Sequence, residues 1–297
     1  MTNVGSRPQA YGPTEWGLTG IIGLIWGSSF LWIALGVESL DPGVVAFSRV
    51  ALGAIALAAF PRARKPIARS DWGRIGLVAL FGNAAPAVLF AIAETELDSA
   101  VAGMITAGTP LLSLGIASLV LRQLPRTVQV IGMALGFIGT ILMAVPSLSG
   151  ADAAPLGVGL VLVATVGYAV NSNLLVPLQH QYGGPTVMLW ALVVSSVALA
   201  PYGALTIDDS EFTTSSVVAV VILGVVGTGL VRALATTLAG RVGGPRMTST
   251  TYLIPVVAIV LGVVFLDETV SPLALAGVAI TLSGAWLARR AVRSMPE

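Results

Sequence analysis

Lysine and arginine in the connectors of this chain fall only in alternate connectors, and the connectors between them carry acids alone. Loops sorted this strictly imply a barrier between two sides. The barrier is visible as apolar runs. Against the ~17–25 residues that cross about 30 Å of hydrocarbon, candidate spans lie near 17–36, 42–60, 73–92, 99–121, 127–146, 156–176, 184–205, 216–239, 247–266 and 272–288. One set of connectors and tails holds Arg7, then Arg62, Arg64, Lys65, Arg69 and Arg74, then Arg122 and Arg126, then Arg241 and Arg246, then Arg289, Arg290 and Arg293. The other set holds Glu38 and Asp41, then Glu94, Glu96 and Asp98, then Asp152, then Asp208, Asp209 and Glu211, then Asp267 and Glu268. Basic residues beside a span resist translocation, so the first set is expected in the cytoplasm. Both termini then lie inside, as a tail over 1–16 and another over 290–297, and the number of crossings is even.

Only 10% of the 297 residues are charged, 56% are apolar, and the mean hydropathy is +0.92. A water-soluble globule usually carries about a quarter charged residues, so lipid is the expected solvent. The connectors are too short to build a second core, and no basic face is available for nucleic acid. There is no cysteine, which removes disulfides, thiol catalysis and cysteine metal sites. The first 16 residues lack the basic-then-apolar layout of a cleaved signal, so the first span is expected to serve as its own anchor.

Sliding the chain by 145 positions lays Gly82 on Gly227, Pro110 on Pro255, Gly132 on Gly277 and Gly139 on Gly284. With slight slippage Pro42 meets Pro185, and Trp26-Gly27 meets Tyr168-Ala169. The same shift sets Arg122-Gln123 of a basic turn opposite Asp267-Glu268 of an acidic one. The halves run over 17–146 and 156–289 with five spans each. An odd number of spans obliges the second half to enter the membrane inverted, the plan on which many secondary transporters are built.

The ordered set Trp26-Gly27-Ser28-Ser29-Phe30, Arg49, Pro110, Gly132 with Gly139, Pro255, Leu266-Asp267-Glu268, and Gly277 with Gly284 resembles the drug/metabolite transporter superfamily. The likeness is to proteins with two EamA-type repeats, and it covers nearly the whole chain. Within them the chain looks most similar to bacterial amino-acid exporters of the YddG type. The resemblance implies an all-α integral membrane fold of ten transmembrane helices in two inverted five-helix repeats, placed in the bacterial inner membrane. It also implies export of amino acids, and it puts Arg49 on a lateral helix. Gln123 stands where the family often has an acid, and Tyr168 where a Trp is common.

Charges at mid-bilayer cost about 2.5–3.5 kcal/mol each on insertion scales, so Arg49 and Arg232 need partners or water. Arg49 lies within about two turns of a span end and reads as a structural charge. Arg232, with Thr228 and Thr236 on its helical face, reads as a candidate for attracting a carboxylate. Pro110 and Pro255 free the carbonyls of Thr106 and Thr251 and are candidate hinges in spans 4 and 9. Trp26, Tyr168 and Tyr252 fall in mid-span, away from the interfacial belts where Trp16, Trp72, Tyr202 and Trp286 sit. With Ser29, Asn83, Asn171 and Asn173 they supply polar handles among rings, as expected of a cavity for amphiphilic solutes. Helix-to-helix hydrogen bonding is the alternative for each. A central cavity on spans 1, 3, 4, 6, 8 and 9 is expected. Gly132 with Gly136, and Gly20 with Gly23, invite close helix approach, within one chain or at a homodimer seam in span 5 or 10; both monomer and dimer remain open.

No acid lies in the middle of a span, and the single histidine, His180, sits in a turn. Proton relays use buried acids or histidines, so a facilitator or exchanger is expected, or weak coupling through Glu94 or Glu268. No Walker loop is present for ATP drive. Catalytic residues, metal ligands and cofactors are not expected, because an embedded enzyme would need a nucleophile, acid pair or metal set that the spans lack. The expectation is therefore a secondary transporter whose partners are the bilayer and a small-molecule substrate, most simply amino acids. A multidrug or other-metabolite carrier of the same fold is the alternative, followed by a receptor or scaffold without transport.

Overall fold

The computed structural model describes residues 12–120, 127–148, 154–242 and 247–293. Arg7, Arg122, Gln123, Arg126, Asp152 and Arg246 lie outside the described residues, as do 1–11 and 294–297 of the two tails. Among the described residues regular structure is helical throughout. In chain order the helices are α1 (Pro13–Val37), α2 (Pro42–Ala58), α3 (Arg69–Ala93), α4 (Ser99–Ile116), α5 (Thr127–Leu148), α6 (Pro155–Tyr182), α7 (Gly184–Leu205), α8 (Thr214–Val242), α9 (Thr250–Phe265) and α10 (Pro272–Leu287). Seven of these, all but α2, α9 and α10, are long and apolar enough to cross a membrane, and the other three are shorter apolar helices.

Local chemistry sets the helix ends. Proline opens α1, α2, α6 and α10, where the missing N–H would have had no helical partner. Asp41 caps α2 by accepting from the Gly43 N–H at 2.7 Å. Between α6 and α7 a single residue, Gly183, turns the chain with φ +83°, a backbone state that costs a side chain dearly. Outward-facing apolar residues are abundant, with Val197 70% and Phe137 65% exposed. In water such a surface would drive aggregation, and in lipid it is solvated.

The internal repeat reappears as matched irregularities. α3 widens into a π-helical stretch at Leu80–Ala84, and α8 does so at Leu223–Leu230. α4 tightens into a 3-10 turn at Thr106–Gly108, and a 3-10 turn at Thr248–Leu253 runs into α9. A shift of 145 positions carries each feature of the first half into its counterpart. Packing partners match as well: α1 lies against α9 as α6 lies against α4, and α1 against α8 as α6 against α3. α2 pairs with α7, and α5 pairs with α10.

The tightest crossing is α5 on α10. A Cβ added to Gly139 would lie 2.6 Å from the Gly277 carbonyl oxygen, and one added to Gly277 would lie 2.6 Å from that of Gly139. The small-residue face of α5 is thus spent on a contact within the chain, and Gly23 of α1 is spent against Leu253.

One cap crosses between the halves. Glu268, in the α9–α10 connector, accepts from the Ser99 N–H at 2.7 Å and the Ala100 N–H at 2.9 Å, satisfying the start of α4. Caps of this kind are worth about 0.5–2 kcal/mol. Glu268→Ala is expected to lower the thermal unfolding midpoint in detergent by a few degrees, and an unchanged midpoint would remove the cap from the account.

Candidate functional site

An internal cavity of about 130 Å³ lies where the two halves meet. A single water needs about 10–15 Å³ on this measure, so the space suits a solute of several heavy atoms. The π-helical stretch of α3 builds one wall. The Gly82 carbonyl has no helical partner, because Pro86, four residues on, has no N–H, and Arg232 of α8 donates to it through Nη1. Arg232 Nη2 donates to the Tyr168 hydroxyl at 3.1 Å, and the guanidinium carbon lies 5.3 Å from the Tyr168 ring centre. Tyr168 stacks on Phe90 at 5.8 Å, and Phe90 meets Phe30 edge-on at 5.5 Å. These rings with Trp26 form the aromatic part of the wall.

The glycines at the heart of the two π-helical stretches are used alike. Gly82 leaves room for the amide of Asn171, and Gly227 leaves room for the hydroxyl of Ser29. Ser29 and Asn171 both line the cavity. Asn171 Oδ1 is buried with no hydrogen-bond partner among the described residues, an acceptor in want of a donor.

Of the residues singled out from sequence, Trp26, Ser29, Thr106, Tyr168, Asn171, Arg232 and Thr251 line the cavity. Asn83 does not: it is 2% exposed and its Nδ2 donates to the Val78 carbonyl of its own helix. Thr228 is buried and accepts from Arg49 Nε at 3.3 Å. Tyr252 packs beside Leu111 and Ala285, and Asn173 donates to the Ala169 carbonyl. Pro110 and Pro255 lie outside the wall, each just after a 3-10 turn. The Thr106 carbonyl is taken by the Thr109 hydroxyl at 2.6 Å. Arg49, read from sequence as a structural charge, is a wall residue.

The wall also includes Phe30, named from sequence only as part of a motif, and residues that sequence reasoning did not name, among them Phe90, Thr109, Ser172, Met188 and Met247. Met188 brings in α7, and Arg49 brings in α2. Thr109 could have been found one helical turn beyond Thr106; the apolar residues carry no distinguishing signal.

Two guanidiniums therefore face one cavity, and no carboxylate lines it among the described residues. The cavity reaches toward the end bearing the basic connectors, since Thr236 is near Arg241 and Met188 is one turn from the start of α7. Toward the acidic end, Phe30 and Phe90 pack into an apolar cluster with Ala93, Leu97 and Val101. Glu94 lies just beyond that plug, 8% exposed, with neither carboxylate oxygen hydrogen-bonded among the described residues. Burial raises its carboxyl well above the usual range; Arg49 works against this and Glu268 with it. Asp98, partly buried beside Glu268, is raised for the same reasons.

A profile of the EamA-like transporter family matches residues 16–145 and again residues 155–290. The chain belongs to the EamA-like transporter family. The family lies in the drug/metabolite transporter superfamily, and the chain is a transporter and not an enzyme. Among similar proteins is a probable terminal-alkyne amino-acid exporter of Streptantibioticus cattleyicolor, 30% identical over 271 residues and covering 89% of this chain and 90% of its own. A probable amino-acid metabolite efflux pump of Salmonella typhimurium is 23% identical and covers 90% and 92%. An uncharacterized transporter of Archaeoglobus fulgidus is 24% identical over 93% and 99%. A crystal structure with 18% identity superposes with a TM-score of 0.67 over 96% of this chain and all of its own, which shows the shared fold. The EamA-like transporter described here is thus a multi-pass membrane protein built from two repeats.

Proposed function

We propose that this chain exports amino acids across the bacterial inner membrane by alternating access. The observation that carries the reading is the cavity: two arginines without an acid, an orphan acceptor at Asn171 Oδ1 and an aromatic wall. A carboxylate suits the guanidiniums, an ammonium suits Asn171, and an apolar side chain suits Trp26, Phe30 and Phe90. Two similar proteins with amino-acid transport in their names support the same solute class. In this reading α1 to α10 all cross the bilayer, as a repeat over 17–146 and an inverted repeat over 156–289. The matched helix irregularities and exchanged packing partners support the inversion. The basic connectors face the cytoplasm together with both termini, so in this reading the cavity lies toward the inner side and Phe30 and Phe90 plug it on the outer side. Outward opening bends α4 and α9 near Pro110 and Pro255.

The test is flux in proteoliposomes with a panel of labelled amino acids, with and without a pH gradient. Saturable amino-acid flux is expected. Flux confined to apolar drugs would move the protein to the multidrug reading, which the aromatic wall favours and the two uncompensated arginines oppose for cationic drugs.

A further inference from the structure

We propose that Arg49 is the residue that takes the solute's carboxylate, and that Arg232 is a positioning residue that holds the wall beside it. This assignment rests on the amino-acid reading above and refines it.

The donors of the two side chains are committed differently. Arg232 spends Nη1 on the Gly82 carbonyl and Nη2 on the Tyr168 hydroxyl, holds its guanidinium carbon 5.3 Å from the Tyr168 ring centre, and leaves only its buried Nε without an acceptor among the described residues. It joins α8 to α3 and α6 and fixes the ring on which Phe90 stacks. Arg49 spends only Nε, on Thr228 Oγ1. Its Nη1 is buried with no acceptor among the described residues, although the residue is 4% exposed and lines the cavity. A buried guanidinium nitrogen is expensive to leave unsatisfied. The free edge of a guanidinium fits the two oxygens of one carboxylate.

The protein supplies no competing anion. Among the described residues Glu94 is the acid that acts on Arg49. The groups acting on Glu94 are Arg49 from α2, Glu268 from the α9–α10 connector and the Ala34 backbone of α1; Glu38, just after α1, and Glu96 of its own connector are exposed, and Asp98 lies beside Glu268. Burial raises the Glu94 carboxyl well above its usual range, against the opposing pull of Arg49 and of the Ala34 backbone, and among the described residues it makes no ion pair with Arg49. The missing partner is an anion that enters through the cavity. Its chemistry is a single carboxylate on a small molecule with an apolar part, placed between Arg49 and the ring wall.

The experiment is inhibition of labelled leucine exchange in proteoliposomes by unlabelled leucine or by leucinamide, which lacks the anion. In the native protein leucine is expected to compete at least about tenfold better than the amide. Arg49→Gln is expected to shrink that preference to within about twofold, with the protein still eluting as one folded peak. Arg49→Lys should keep part of the preference. Arg232→Gln should slow exchange while leaving the preference for the carboxylate. Glu94→Gln should leave both rate and preference unchanged, because among the described residues Glu94 makes no ion pair with Arg49. Full carboxylate preference in Arg49→Gln, or collapse of exchange in Glu94→Gln, would overturn the assignment and leave the amino-acid reading standing. Absence of any amino-acid exchange in the native protein would overturn both.

Discussion

Gly139→Leu is expected to leave no folded protein. A Cβ at this position would fall on the Thr281 hydroxyl and within 2.6 Å of the Gly277 carbonyl. Neither neighbour is the free end of a flexible chain: one is backbone, and the other is fully buried on α10. The backbones of α5 and α10 would have to separate along their whole contact. Helices in lipid are held by dispersion, and no hydrophobic drive compensates for lost contact. Overpacking of an ordinary core costs about 1–3 kcal/mol; against unyielding backbone the cost is higher, and stabilities of domains are only about 5–15 kcal/mol. Size-exclusion profiles of a fluorescent fusion read the outcome directly. Gly139→Leu should appear as aggregate, and Gly277→Leu likewise, whereas Gly73→Leu, where nothing lies within 4 Å of an added Cβ, should run as the native protein does. A folded Gly139→Leu would mean that this crossing is not the close contact described.

The second large effect is on transport. Arg232→Ala removes the donor to the Gly82 carbonyl and to the Tyr168 hydroxyl together, and frees the ring that carries Phe90. Loss of a positioned polar group in a binding site costs about 2–4 kcal/mol of transition-state stabilisation in comparable cases. Exchange of amino acids should therefore fall about 30- to 1,000-fold. The fold should survive, because water in the cavity can satisfy the freed carbonyl. Initial exchange rates normalised to folded protein measure this, and unchanged rates would remove Arg232 from the site.

Much of the architecture was legible because lipid imposes simple accounting. A membrane helix must be long and apolar, so apolar helices could be read from hydropathy, seven of them long and apolar enough to cross a membrane and three shorter, and Gly132, Gly139, Gly277 and Gly284, which share one offset, lie at the close α5–α10 approach. The π-helical stretches were not legible. Nothing in Leu80–Ala84 or Leu223–Leu230 distinguishes a π-helix from an α-helix in a glycine-rich run, yet their glycines make room for Asn171 and Ser29; the Gly82 carbonyl is free because Pro86, four residues on, has no N–H. The site was legible where polarity was out of place. Trp26, Ser29, Thr106, Tyr168, Asn171, Arg232 and Thr251 stood out in apolar helices and lie on the cavity wall. Asn83, Thr228 and Tyr252 stood out equally and lie elsewhere, since a polar residue can also be satisfied by a neighbouring helix or by its own backbone. Arg49 shows the same ambiguity from the other side: it is tied to Thr228, yet it lines the cavity and its Nη1 has no acceptor among the described residues. Phe90 and Met188 carried no signal, because an apolar residue facing a cavity looks in sequence like one facing lipid.

Trans-stimulation in proteoliposomes tests the central claim most directly, because an alternating carrier returns faster when its cavity is refilled on the far side. Unlabelled leucine trapped inside should speed the entry of labelled leucine severalfold, saturably, and only in vesicles that contain the protein. Leucine entry that is absent, or that is indifferent to the trapped amino acid, would contradict an amino-acid carrier working through this cavity.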